Sequence, residues 1–130
     1  MNVLETEWWS LLVPPEWWAE SEDHTILVGD RDGVGAIEIS TLCRDEGEFT
    51  AKEAADIAGE ESPEVADWTR LAIGDFEGVH GAFTEEGAAI REWYLANGAL
   101  LLYITYSCEL ENQGLDDAAV DEILDTLALL

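Results

Sequence analysis

The side chains best suited to catalysis or metal binding in this chain are two histidines, His24 and His80, and two cysteines, Cys43 and Cys108. A zinc site would need the histidines joined in space by thiolates or carboxylates, and nothing in the spacing supplies that. The cysteines form no C-x-x-C pair and read as free thiols, buried or half-buried at strand ends. Cys43 would become a nucleophile only beside a base, and no neighbour in the sequence is one. The segment "GDRDG" (29–33) resembles the start of a calcium loop but lacks the later oxygen ligands and the closing glutamate, so it reads as a polar hairpin turn. There is no H-E-x-x-H, no G-x-S-x-G and no glycine-rich phosphate loop. The carboxylate pairs Glu60-Glu61, Glu85-Glu86 and Asp116-Asp117 could exchange protons, but among 30 acidic residues such neighbours arise by chance and read as solvated. No catalytic residue, metal or cofactor is therefore expected.

Arg91, inside "IREWYL" beside Trp93, is the charge that stands out. Its expected position is at an edge or facing solvent. The alternative is a buried partner for a carboxylate, or a contact on a binding face.

The acidic residues face only 5 Lys and Arg, for a formal charge of −25. With Lys52, Arg31, Arg44, Arg70 and Arg91 scattered, no basic face exists for nucleic acid or anionic lipid. Three readings of the acidity stay open: a solvated shell adapted to high salt, a steering field for a cationic partner, and mimicry of nucleic acid to block a basic protein. The apolar fraction, 48%, is that of a globular chain, and 130 residues suffice for one domain, 1–130, with its own core. The first ten residues have neither the basic start nor the cleavage site of a signal peptide, and no stretch is apolar enough to span a membrane. A reducing, cytoplasmic setting is the expectation.

The elements that would position these residues follow from periodicity. "WWSLLV" (8–13), stopped by Pro14 and Pro15, predicts a strand with Trp9, Leu11 and Val13 on the core face and Trp8 on the other. Residues 24–42 predict a hairpin turning at Asp32-Gly33. Thr50 and Glu53 form a capping box for a short helix whose alanines (51, 54, 55, 58) suit close packing on a sheet. A meander follows from Trp68, punctuated by Glu86-Gly87 and Asn97-Gly98. Its last strand, "ALLLYITYSC", is apolar on both parities and so needs cover on both faces; Tyr103 and Tyr106, on opposite faces, read as core. A terminal amphipathic helix bearing Val120, Ile123, Leu124 and Leu127 supplies the second cover. The result is an α+β fold, an α/β/α sandwich around a mainly antiparallel sheet.

"VPPEWW", "GAIEIS", "GDFEGVHGAF", "REWYLANGALLLYITYSC" and "VDEILDTLALL" together resemble the PsbP-like superfamily, whose members include the photosystem II extrinsic subunit, DcrB-like proteins, a Ran-binding import factor and chaperones of type VI secretion effectors. The resemblance runs through nearly the whole chain. It aligns the proline followed by tryptophan after the first strand with Pro14 or Pro15 and Trp17 or Trp18. It implies a non-enzymatic accessory or chaperone-like module that binds another protein, and it brings no active site. The aromatic residues expected to contact such a partner are Trp8 and one of Trp17 or Trp18, with Arg91 as a further contact. The rival readings are an immunity or mimic protein for a basic target, and an enzyme or small-molecule binder with a pocket between sheet and helix.

Overall fold

The computed structural model of the chain describes residues 2–23 and 25–130; the expectations made for His24 fall outside them. In chain order the elements are β1 (Asn2–Glu5), β2 (Trp9–Val13), β3 (Trp17–Glu22), β4 (Thr25–Asp30), β5 (Gly35–Cys43), α1 (Ala51–Glu61), β6 (Thr69–Ile73), β7 (Phe76–Glu85), β8 (Ala88–Asn97), β9 (Leu100–Glu109), a 3-10 turn (Leu110–Asn112), α2 (Asp117–Leu124) and β10 (Ala128–Leu129). Seven strands form an antiparallel sheet in the order β3-β4-β5-β9-β8-β7-β6. β9, apolar on both parities, is its central strand, as that composition requires.

Side-chain alternation divides the core into two layers. From β8, Trp93 and Leu95 join the larger cluster, with Ile104 of β9, Ile37 and Ile39 of β5, and Val120, Ile123 and Leu124 of α2. Tyr94 and Ala96 face the other way, onto Ala54 and Ala58 of α1 and Phe49. The helix lies against β7 and β8 through these small side chains. Thr50 Oγ1 accepts from Glu53 N at 3.0 Å, so the N-cap forms as its sequence predicts. The helix runs on through Gly59 to Glu61.

The second cover differs from the sequence expectation. α2 stops at Leu124, and Leu127 reaches the core from the turn that follows, through Leu127 N to Leu124 O at 3.0 Å. The next residues form β10, which joins β1 and β2 in a separate three-stranded sheet of order β1-β2-β10. α2 and this small sheet together form one cover. β2 therefore belongs to the covering layer, and its alternation is the expected one, with Trp9, Leu11 and Val13 buried.

Two turns show how local chemistry sets register. Glu86 and Gly87 both have positive φ, 45° and 84°, as a two-residue type I′ hairpin turn demands. The β8–β9 turn lies one residue later than its sequence predicts. Asn97 is still in the ladder opposite Leu100, and Gly98, at φ +56°, is the first turn residue.

Candidate protein-interaction face

The two tryptophan pairs meet where the small sheet and the large sheet leave a seam. β1 is an edge strand of the first sheet and β3 of the second. Among the described residues neither has a strand paired on its outer side. Two grooves run along β1 and share Leu4. One, about 280 Å³, is lined by Leu4, Trp8, Ile26 and Thr41 with Glu5, Glu7 and Asp23. The other, about 290 Å³, is lined by Val3, Val13, Trp17, Trp18 and Arg31 among others.

The backbone of Trp8 is pinned. Its backbone N–H and that of Trp9 both donate to Thr6 Oγ1, at 3.1 and 3.0 Å, and its carbonyl accepts from Leu130 N at 2.9 Å. The side chain nevertheless stays 37% exposed, with Val3 nearby in β1 at 60%. Trp9 points inward and donates its indole N–H to Thr41 Oγ1 at 2.9 Å. The second pair divides the same way. Trp17 is 5% exposed and belongs to the core, so it is not a surface contact. Trp18 lies half-buried over Gly29, its partner across the β3–β4 ladder, where a Cβ would strike the indole.

Arg91 is remote from this seam, on the α2 face of β8, and the expectation of an edge or solvent-facing position is overturned. Only 17% of its side chain is exposed. Nη2 donates to Asp121 Oδ1 at 2.7 Å, Nη1 reaches Asp117 Oδ1 at 3.5 Å, and the guanidinium carbon sits 4.7 Å from the centre of the Trp93 ring. Nε donates to His80 Nε2 at 3.1 Å. That bond requires neutral His80 with its proton on Nδ1, and burial together with the Arg91 charge holds its pKa below the ordinary 6.5. The cavity beside them, about 210 Å³, also receives Tyr106, Cys108 and Gln113. It is smaller than the about 300 Å³ at which small-molecule sites begin. The histidine lone pair that a general base would use is already engaged by Arg91.

Three carboxylates are buried, Asp30, Glu92 and Asp116; Asp116 overturns the solvated reading of the Asp116-Asp117 pair, of which only Asp117 is exposed. Glu92, 5% exposed, accepts from Tyr103 Oη at 2.9 Å, while its Oε1 lies buried without a partner among the described residues. Tyr103 stacks at 4.8 Å on Tyr94, whose hydroxyl bonds Ser62 Oγ at 2.8 Å. Burial and the Glu92 carboxylate push the Tyr103 phenol well above its usual range. On the opposite face Tyr106 Oη donates to Asp116 Oδ2 at 2.7 Å. Burial and the neighbouring Asp30 raise the Asp116 pKa. Asp30 also accepts from Asp32 N at 2.7 Å, so the acidic loop segment serves its own turn. Alternation predicted the tyrosines' faces but not these polar partners.

Larger depressions, about 610 Å³ beside the β7–β8 turn and about 490 Å³ beside Gly98, are open and rimmed by carboxylates and backbone. Cys108 is buried as expected but Cys43 is exposed, contrary to the buried or half-buried expectation, because it ends β5 past the core; they lie opposite Gly35 and Leu100 at the two ends of the β5–β9 ladder, too far apart to bond. Among the described residues no three metal-binding side chains converge, and no helix is long and apolar enough to cross a membrane.

No family model and no curated protein matches the chain by sequence. Solved structures do match it by shape. A Bacteroides thetaiotaomicron protein superposes with a TM-score of 0.69 at 19% identity over 95% of this chain, which spans only 45% of that protein. LpqN of Mycobacterium tuberculosis, involved in cell envelope biogenesis, gives 0.63 at 15% identity, covering 93% of this chain and 82% of its own. Cyanobacterial PsbP from Synechocystis gives 0.61 at 8% identity, covering 94% and 86%. With a seven-stranded antiparallel sheet between α1 and the α2 layer, and these superpositions over nearly its whole length, the chain has the PsbP-like fold.

Proposed function

We propose that this chain is a non-enzymatic accessory module that binds another protein through the seam between β1 and β3. The carrying observation is Trp8, an exposed aromatic on a backbone pinned by Thr6 and Leu130, at the mouth of a groove between two unpaired strand edges. An aromatic side chain on a pinned backbone has only two torsions left to fix on binding, and such anchors carry a large share of interface affinity. Val3 and half-buried Trp18 extend the apolar strip along β1. An accessory role is what the resemblance to the PsbP-like superfamily implies, and the reading keeps the cytoplasm as its compartment, where two unpaired thiols are stable.

The test is capture from the native host with the intact chain as bait. A defined protein should be recovered by the native bait and lost by Trp8→Ala at unchanged melting temperature. Recovery that ignores Trp8→Ala and Trp18→Ala alike would move the contact face elsewhere. Turnover of a small molecule that depends on His80 or Glu92 would replace the module with an enzyme.

A further inference from the structure

We propose that the Trp8 end of the seam receives a lysine or arginine side chain from an extended segment of the partner protein. The inference rests on the docking reading and names the chemistry of what docks.

The shape selects an extended segment. β1 and β3 both present an unpaired edge to the seam, so a strand laid there finds main-chain donors and acceptors. Along β3, burial stops after Trp18, and Ala19 and Ser21 are exposed. Small side chains on an uncovered strand leave room for the side chains of a guest.

The lining selects the charge. Leu4 and Ile26 give the Trp8 groove an apolar floor, Trp8 gives it an aromatic wall, and among the described residues Glu5, Glu7 and Asp23 supply its charged groups. Lysine and arginine combine an apolar stem with a charged head, so the stem covers Leu4 and Ile26 while the head meets the carboxylates and the indole face. Among the described residues no cation lines that groove. Arg31 lies in the adjoining one, where its Nε donates to Pro15 O at 2.8 Å, so the second groove favours an apolar residue of the same segment.

A surface this acidic attracts any cation, so the experiment must separate the groove from the overall field. The probe is an acetylated, amidated peptide of alternating threonine and valine with one central lysine, titrated into the 15N-labelled chain. Companion peptides carry norleucine or glutamate at the centre. The lysine peptide should shift the Trp8 indole N–H and the amides of Leu4, Ser21 and Ile26, and bind about tenfold tighter than the norleucine peptide. Trp8→Leu and the double variant Glu5→Gln/Glu7→Gln should each weaken it by about tenfold. Glu60→Gln/Glu64→Gln, an equal charge change on the α1 side, should alter it by less than about twofold.

Equal losses in the two double variants, equal binding of lysine and norleucine peptides, or no shift at the seam would each overturn the inference. If the peptides fail while capture from the host still depends on Trp8, the docking reading stands and only the basic segment falls. If both fail, both readings fall.

Discussion

Trp8 and Trp9 are adjacent, chemically identical and placed in opposite surroundings. Trp9 is fully buried and hydrogen-bonded to Thr41, so Trp9→Ala removes a large aromatic from a packed core and should destabilise by about 3–5 kcal/mol in denaturant melts. Trp8→Ala should fall well below that, and equal losses would contradict the alternation. Asp116 offers a test by pH. Its folded pKa is raised above 3.8 by burial and by Asp30, so between 3.8 and the folded value the native state holds more protons than the unfolded chain. Stability from this group is therefore present at acid pH and lost as pH rises through the folded pKa. Asp116→Asn keeps an oxygen for Tyr106 and adds a donor toward Asp30. It should stabilise the chain at neutral pH by more than exposed Asp125→Asn does, with the advantage vanishing below pH 3.8. Equal melting temperatures for the two variants at neutral pH would remove Asp116 as a buried, strained carboxylate. His80 has the opposite sign, since its lowered pKa means that its contribution is lost as pH falls below 6.5.

At the scale of elements, Arg91 adds a polar tie to the apolar packing of α2 on the sheet, reaching from β8 to Asp117 and Asp121 on the first two turns of the helix. Arg91→Ala should speed hydrogen exchange at Val120–Leu124 while the β5–β9 ladder stays protected; uniform loss of protection would show a global role instead. The contrast between Arg91 and the capping box shows what the sequence could and could not disclose. Thr50 and Glu53 act within one turn, so their spacing alone specifies the contact. The partners of Arg91 lie 26 and 30 residues away, on a helix whose approach to the sheet no local pattern encodes. The same limit explains β10. "ALL" (128–130) continues an apolar run after a helix, and only the exposed edge of β2 turns it into a strand. It explains the candidate face as well. Parity singled out Trp8, but the seam exists because β1 and β2 leave the main sheet, a departure that the prolines after β2 permit without announcing. Trp17 was lost from the face for a related reason, because the residue of that pair nearer the turn is the one that enters the core.

At the scale of the whole molecule the acidity has no preferred side. Exposed carboxylates occur on α1 (Asp56, Glu60, Glu61), on α2 (Asp121, Glu122), on β1 and β3 (Glu5, Glu20, Glu22) and at the hairpin turns (Asp32, Glu85, Glu86). A mimic of nucleic acid would need them gathered on one face, so the distribution favours a solvated shell. Three of the five cations sit beside carboxylates: Arg44 pairs with Glu53 and covers the Phe49 ring at 3.8 Å, Lys52 reaches Asp56 at 3.3 Å, and Arg91 is clamped by α2, while Arg31 and Arg70 stay exposed. They neutralise local contacts and leave the long-range repulsion of a net −25 charge unrelieved. Over a radius of gyration of about 14 Å that repulsion is felt across the molecule in dilute buffer. Molar salt shortens the screening length to about 3 Å and removes it. The melting temperature should therefore climb from low to molar sodium chloride, by about 4 °C for each kcal/mol of repulsion screened. Replacing Glu20, Glu22, Glu60, Glu85 and Glu122 with glutamine, spread over separate layers, should raise the low-salt melting temperature and flatten the curve. If the native chain shows no salt dependence, the shell carries no net repulsive strain. If the glutamine variant keeps the full slope, salt acts through apolar burial and the charge is incidental to it.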